Sequence, residues 1–236
     1  MKIGLIGYGK MGQAIETIAL ERGHEIAACV NRAHPIQEVN WEDVDVAIEF
    51  TQPDLAVFHI QSCMEANVPI VVGTTAWQQE LTKVEKIVQE NNGSLLHASN
   101  FSVGVNIFFE INRKLAEIMN RHPEYTVSME EIHHVQKLDA PSGTAVSLAN
   151  DIIMSHDAYS TWQLSTENIV NKAISINAVR EPNVPGTHEV RYTSDIDTIR
   201  IEHIAHSRKG FALGAVLAAE FLFGKKGVYT MKDVLK

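Results

Sequence analysis

Residues 131–145 read Glu-Ile-His-His-Val-Gln-Lys-Leu-Asp-Ala-Pro-Ser-Gly-Thr-Ala, which brings imidazoles, an ammonium and a helix start into one short stretch. Pro141 and Ser142 stop an extended segment, and a good helical run follows from Ala145 to Ile153. A helix N-terminus carries backbone N–H groups with no intrahelical acceptor, here around Gly143 and Thr144, and such a terminus attracts carboxylates and other anions. Lys137 adds a point charge, and His133 or His134 adds a group that titrates near neutrality. Together they describe a site for a small polyanion undergoing proton transfer. In an extended strand His133 and His134 point to opposite faces, so regular geometry brings only one of them into a given pocket. The same residues also suit an exposed polar loop with a Pro-Ser-Gly cap, because every helix needs a cap.

A second constellation lies at the start of the chain. Gly7-Tyr8-Gly9-Lys10-Met11-Gly12 sits between a strand pattern (Lys2–Ile6) and a helical one (Lys10–Arg22), the context a dinucleotide fingerprint requires. The first glycine allows the tight turn, the second lets a pyrophosphate approach the backbone, and the third lets helix and strand pack closely. The fingerprint normally ends with an acid at the tip of the second strand, bonded to the ribose 2′-OH. Asn31 and Arg32 stand there instead. Asn can still bond a hydroxyl and Arg can pair with a 2′-phosphate, so NADPH is permitted as well as NADH. Gly73-Thr74-Thr75 and Ala98-Ser99-Asn100-Phe101 follow two further strands. Ligands of open α/β sheets bind beyond the carboxyl ends of strands, where both segments fall.

The segment Glu-x-His-His-x-x-Lys-x-Asp-Ala-Pro-Ser-Gly-Thr-Ala resembles the substrate motif of the 4-hydroxy-tetrahydrodipicolinate (dihydrodipicolinate) reductase family. The resemblance runs along nearly the whole chain. It includes the glycine fingerprint, Glu49-Phe50-Thr51, Gly73-Thr74-Thr75, Asn100–Asn106, Ser207-Arg208, Phe211-Ala212 and Gly214-Ala215. It implies NADH- or NADPH-dependent reduction of a cyclic dicarboxylate in lysine and diaminopimelate biosynthesis. It assigns His133 as proton donor, Lys137 as a second catalytic group, and His134, Gly143 and Thr144 to substrate binding. It assigns the 7–12, 73–75 and 98–101 segments to the cofactor, and it implies a homotetramer. One triplet departs: where the family has Gly-Glu-His, this chain has Gly186-Thr187-His188. The departure is expected to touch a local loop and any subunit contact there, and to leave the substrate motif alone.

The elements that must position these residues follow from periodicity. Strand and helix patterns alternate through the first hundred residues: strands at 25–30, 44–50, 69–72 and 94–98, and helices at 53–67 and 77–91. This predicts a parallel, Rossmann-like sheet with helices on both faces. The crossover from Val30 to Val44 is short and poorly helical. After Gly104 the alternation lapses. A helix over 105–120 carries apolar Ile107, Phe108, Ile111, Leu115 and Ile118, and strand-like runs at 125–133, 174–179, 188–193 and 198–205 indicate an α+β domain on an open mixed sheet. A last helix over 211–223 returns, by resemblance, to the first domain. The expected division is 1–104 with 209–236 for the dinucleotide and 105–208 for substrate and tetramerisation, with hinges near 102–105 and 207–210. Asp157–Lys172 reads as an irregular surface excursion.

Composition excludes several classes. The 236 residues carry a formal net charge of −9, which argues against a nucleic-acid backbone as partner. An anionic ligand must then be drawn by local positive groups. No apolar run reaches the roughly 18 residues of a membrane span. The N-terminus lacks a signal-peptide pattern, and Cys29 and Cys63 form no close motif, so a reducing cytoplasm is expected. His188, His203 and His206 suggest a metal cluster, but His203 and His206 would fall on opposite strand faces, so no metal site is expected. Two other classes compete with the reductase reading. A sugar-type dehydrogenase would carry Glu-Lys-Pro where this chain has Glu49-Phe50-Thr51-Gln52-Pro53. A nucleotide sensor would have no use for the His133, Lys137 and Gly143 cluster.

Overall fold

The computed structural model describes residues 1–166, 170–207 and 209–236. Arg208 of the Ser207-Arg208 motif, and with it part of the expected 207–210 hinge, lies outside the described residues, as do residues 167–169 of the expected surface excursion. The chain divides into two units, Met1–Val103 with Arg208–Lys236, and Gly104–Ser207.

The first unit alternates β1 (Lys2–Ile6), α1 (Lys10–Glu21), β2 (Glu25–Val30), β3 (Val46–Glu49), α2 (Pro53–Glu65), β4 (Ile70–Val72), α3 (Leu81–Glu90) and β5 (Ser94–His97). It is completed by α6 (Lys209–Leu222), β11 (Gly227–Tyr229) and α7 (Met231–Val234). The six strands are all parallel, in the order β11-β5-β4-β3-β1-β2. The order reverses between β1 and β3, so a crevice opens beyond their carboxyl ends. The period-2 pattern fills both faces. Ile3, Leu5, Val46 and Ile48 pack with Ile15 and Ala19 of α1 and with Ala212, Ala215 and Ala219 of α6. Ile6, Ala47, Ile70 and Val72 pack on the other face with Ile60 of α2 and Val84 and Val88 of α3. Each Val, Leu or Ile among them contributes roughly 1.5–3 kcal/mol on burial. The small face of α6 is needed: a Cβ on Gly214 would lie 1.7 Å from the carbonyl oxygen of Phe101.

The β2–β3 crossover has no α-helix, only short 3₁₀ turns at Ile36–Glu38 and Trp41–Asp43. The helix expected from Trp77 begins later, at Leu81, because Trp77 is buried and its indole N–H donates to Thr74 O at 2.7 Å. Strand β11 and helix α7 are additions to the sequence reading. Neither has a strong pattern of its own, and β11 is held by pairing with β5.

The second unit comprises α4 (Val103–Met119), β6 (Thr126–His133), α5 (Gly143–Ser155), β7 (Thr161–Leu164), β8 (Ala173–Arg180), β9 (Thr187–Thr193) and β10 (Thr198–Ile204). Its sheet runs β10-β9-β6-β8-β7 and is mixed: β9 is antiparallel to both β10 and β6, while β6-β8-β7 are parallel. Strand β7 lies inside the segment read as irregular; its register against β8 gives four polar-flanked residues a place in the ladder. Helix α4 turns a different face inward than its isoleucines suggested. Val105, Phe108, Asn112, Ala116 and Met119 are buried, whereas Ile107, Ile111 and Ile118 are exposed. Asn112 settles the rotation by donating from Nδ2 to Leu148 O of α5 at 3.0 Å.

Candidate functional site: a buried Glu-His pair at a helix start

In the second unit the pleat of β6 puts Val127, Met129, Glu131 and His133 on the face that packs on the helices. Glu131 is fully buried, and its carboxylate contacts Nδ1 of His133 directly. Arg180, opposite His133 in the β6–β8 register, puts Nη2 3.0 Å from Glu131 Oε1. The same guanidinium donates to the carbonyls of Asp139 at 2.6 Å and Lys137 at 3.4 Å. Arg180 therefore straps the 137–139 loop to the strand that carries His133. A turn from His134 O to Lys137 N (3.0 Å) starts this loop, and Lys137 Nζ pairs with Asp139 at 2.8 Å. His134, just past the strand, has a buried Nδ1 with no hydrogen-bond partner among the described residues.

The helix start joins the same cluster. Ser142 is the N-cap of α5, its hydroxyl accepting from Ala145 N at 3.2 Å. Its own N–H donates to Glu131 Oε1 at 3.2 Å. Its Oγ also lies 3.0 Å from Nε2 of His188 on β9. The rings of His133 and His188 meet edge to face, centroids 5.0 Å apart. A side chain on Gly143 would meet nothing within 4 Å, so the first turn of α5 is open to a ligand. Burial pushes the Glu131 carboxyl up, but His133 and Arg180 outweigh it and hold the group down to about 2. Burial, then the neighbouring His133, pushes the His188 imidazole down to about 3. Glu131 is thus an anion and His188 a neutral ring at neutral pH.

The Gly186-Thr187-His188 triplet is not remote from the motif. Thr187 and His188 begin β9 and pair with Ile132 and Glu131. A Cβ on Gly186 would lie 3.0 Å from Nε2 of His133. The departing residue, Thr187, alternates to the opposite sheet face from His188, which is why the cluster keeps its contacts. Glu131, His133 and His188 also offer ligand atoms within 4.8 Å of one another. Glu131 is already shared between His133 and Arg180, and a metal ion there would face the guanidinium.

In the first unit Gly7 has φ +95°, and a Cβ there would fall 2.2 Å from Phe50 O. A Cβ on Gly12 would fall 2.4 Å from Gly7 O, whereas one on Gly9 would meet nothing within 4 Å. The turn, the close helix packing and the open approach thus fall on three successive glycines of the fingerprint. Tyr8 donates its hydroxyl to Glu16, and Lys10 and Met11 open α1 beside it. Asn31 Oδ1 accepts from the N–H groups of Ala33 and His34 at 2.8 and 3.2 Å, which spends that oxygen on a local turn and leaves the amide nitrogen as donor. Arg32 is exposed. A Cβ on Gly73 would strike the Phe50 ring at 2.1 Å, and Phe50 packs on Phe101 at 5.6 Å between centroids. Thr74 and Phe101 are buried, Ala98 and Asn100 half-buried, and Thr75 and Ser99 exposed. Asn100 Oδ1 accepts from Ser102 N at 2.8 Å.

Several members of these clusters carried no role in the sequence reading. Glu131 had a usable signal, since it stands two positions before His133 and so shares its strand face. His188 had only the family's Gly-x-His triplet as a signal and Arg180 had none, because β8 and β9 reach β6 only through the sheet.

A fingerprinted parallel sheet joined in one chain to a mixed-sheet unit with a buried Glu131–His133 cluster fits a nucleotide-dependent type of oxidoreductase. Residues 1–101 match the family model described as dihydrodipicolinate reductase, N-terminus, and residues 104–235 match dihydrodipicolinate reductase, C-terminus. The chain belongs to the dihydrodipicolinate reductase family. It is 48% identical over 235 residues to the 4-hydroxy-tetrahydrodipicolinate reductase of Christiangramia forsetii, covering 100% of this chain and 98% of that one. It is 32% identical to that of Thermosipho africanus, covering 100% and 98%. Among solved structures, a dipicolinate-bound dihydrodipicolinate reductase from Paenisporosarcina sp. TG-14 superposes with a TM-score of 0.76 at 22% identity, covering 98% of this chain and 97% of that one. Among the described residues no helix is long and apolar enough to cross a membrane.

Proposed function

We propose that this chain reduces 4-hydroxy-tetrahydrodipicolinate to tetrahydrodipicolinate in lysine and diaminopimelate biosynthesis, using NADH or NADPH, with His133 as the proton donor. Family membership carries the reaction. The observation that carries the residue roles is the joining of His133 and the α5 N-terminus through one carboxylate, Glu131. A bound nicotinamide nucleotide supplies the hydride. The chain's residues do the rest. The open first turn of α5, at Gly143 and Thr144, takes one substrate carboxylate. Lys137, with His134, balances charge and orients the ring. The 4-hydroxyl leaves as water to give the unsaturated ring, hydride addition to that ring leaves enamine-like electron density that needs a proton, and His133 delivers it. Glu131 holds the ring by Nδ1, so the proton donated is the one on Nε2 of the imidazolium. The open approach at Gly9 and the turn at Gly7 suit a pyrophosphate, and Thr74, Thr75 and residues 98–101 suit the nicotinamide end.

A homotetramer is the assembly the family resemblance implies, and light scattering after size exclusion would check it. The setting is the cytoplasm. The decisive assay couples the upstream synthase, as substrate source, to loss of NAD(P)H absorbance. Substrate-dependent oxidation is expected; none with either nucleotide would overturn the reading.

A further inference from the structure

The reaction as proposed leaves unused a fully buried glutamate of the first unit. Glu49 is the last residue of β3 and has no exposed surface. It stands at the carboxyl edge of the sheet, next to the strand-order reversal. A buried carboxylate costs several kcal/mol unless donors surround it. Here all the donors converge on one oxygen. Thr51 donates its hydroxyl to Glu49 Oε1, and Thr74 does so at 3.0 Å. Nδ1 of His59, itself buried on α2, lies 3.4 Å from the same oxygen. Oε2 has no hydrogen-bond partner among the described residues.

What these donors hold is informative. The Thr74 hydroxyl accepts from the N–H of Thr51 at 2.7 Å while donating to Glu49, so it bridges the segments that follow β3 and β4. Between its ends lies Phe50, whose ring fills the space a Gly73 side chain would need and whose carbonyl oxygen fills that of Gly7. The 7–9 turn, the 50–51 segment and the 73–74 segment are therefore fitted to one another around this carboxylate. The partners of this glutamate sit on the segments that rim the crevice at the carboxyl ends of β3 and β4.

We infer that Glu49 is a positioning residue for the nicotinamide nucleotide, acting through Thr51 and Thr74 with His59 as its buried counterpart. The inference rests on the cofactor reading given above. Glu49 touches no ligand itself. Its carboxylate fixes the Thr74 hydroxyl as acceptor toward Thr51 N, which sets the spacing of the two segments and the tilt of Phe50. With the carboxylate replaced by an amide, Oε1 can still accept from both hydroxyls but no longer carries charge, so those bonds weaken and the bridge loosens.

Nucleotide binding reads this without turnover. NADH fluorescence titration on the wild-type protein comes first: no binding there would refute the cofactor reading itself. Given wild-type binding, Glu49→Gln is expected to raise the Kd for NADH about tenfold, the cost of a charge-assisted hydrogen bond. Thr74→Val, isosteric and uncharged, should give a similar loss and keeps the test alive if the glutamine variant fails to fold. The double variant should lose little more than either single one, because both cut the same bridge. In steady state the KM for the nucleotide should rise more than kcat falls. Wild-type Kd in both folded variants, or a lowered melting temperature with an unchanged Kd, would overturn the assignment and leave Glu49 a purely structural residue.

Discussion

The backbone N–H of Ser142 donates to Glu131 Oε1 at 3.2 Å across 11 residues of sequence. That bond ties the end of β6, which carries His133, to the first turn of α5. The group proposed to move a proton and the helix start proposed to hold a carboxylate are thereby fixed to one another. Arg180 closes the arrangement by binding Glu131 and the loop that carries Lys137.

His133→Ala and Lys137→Ala should each lower turnover, by roughly one hundredfold or more for a lost proton donor. Steady-state kinetics with circular dichroism as a fold control make the comparison. Wild-type turnover in a folded His133→Ala protein would remove that residue as the acid.

Pyridine-2,6-dicarboxylate, a planar substrate mimic, should compete with substrate. Thr144→Val should weaken that inhibition while leaving nucleotide affinity unchanged. Competition against the nucleotide alone would show that the α5 terminus is not the carboxylate site.

Cofactor choice should turn on the tip of β2. Asn31→Asp preserves the acceptor that holds Ala33 and His34, so the turn should survive. The new charge disfavours a 2′-phosphate by about 1 kcal/mol in water-like surroundings and more when sheltered. KM for NADPH should rise while KM for NADH is spared. Arg32→Ala should hurt NADPH more than NADH, with the gap shrinking as salt is added. Equal effects on both nucleotides would show that Arg32 does not read the 2′ position.

Acid should destabilise the second unit through two groups of the same sign. Glu131 titrates at about 2 instead of 4.5, so its contribution is complete above about pH 4.5 and is lost as pH falls toward 2. His188 titrates at about 3 instead of 6.5, so between these values the unfolded chain binds the extra proton and stability falls with pH. At ~1.4 kcal/mol per unit the two groups together are worth several kcal/mol. Denaturant midpoints from pH 7 to pH 4 should decline, and His188→Gln should flatten the decline between about pH 6.5 and 4. An unchanged slope in that variant would show that His188 is not the group responsible.

Much of this architecture was legible because its cues are local. The glycine fingerprint needs only a strand before it and a helix after it, and Ser142 caps α5 through contacts three residues away. Strand–helix alternation forced a parallel sheet, since parallel neighbours need crossover connections. The sequence also supplied His133, Lys137 and Gly143 as one motif. Other features had to wait for the folded chain. Which face of α4 turns inward was set by Asn112 reaching Leu148 across to α5, against the pull of three isoleucines that stay exposed. Arg180 and His188 joined the cluster only through strand pairing, and Glu49 gained its partners from α2 and from the ends of two strands. Sequence periodicity fixes what an element can bury. Which residues meet across elements depends on register and rotation, and those are settled by packing and hydrogen bonds between parts of the chain far apart in sequence.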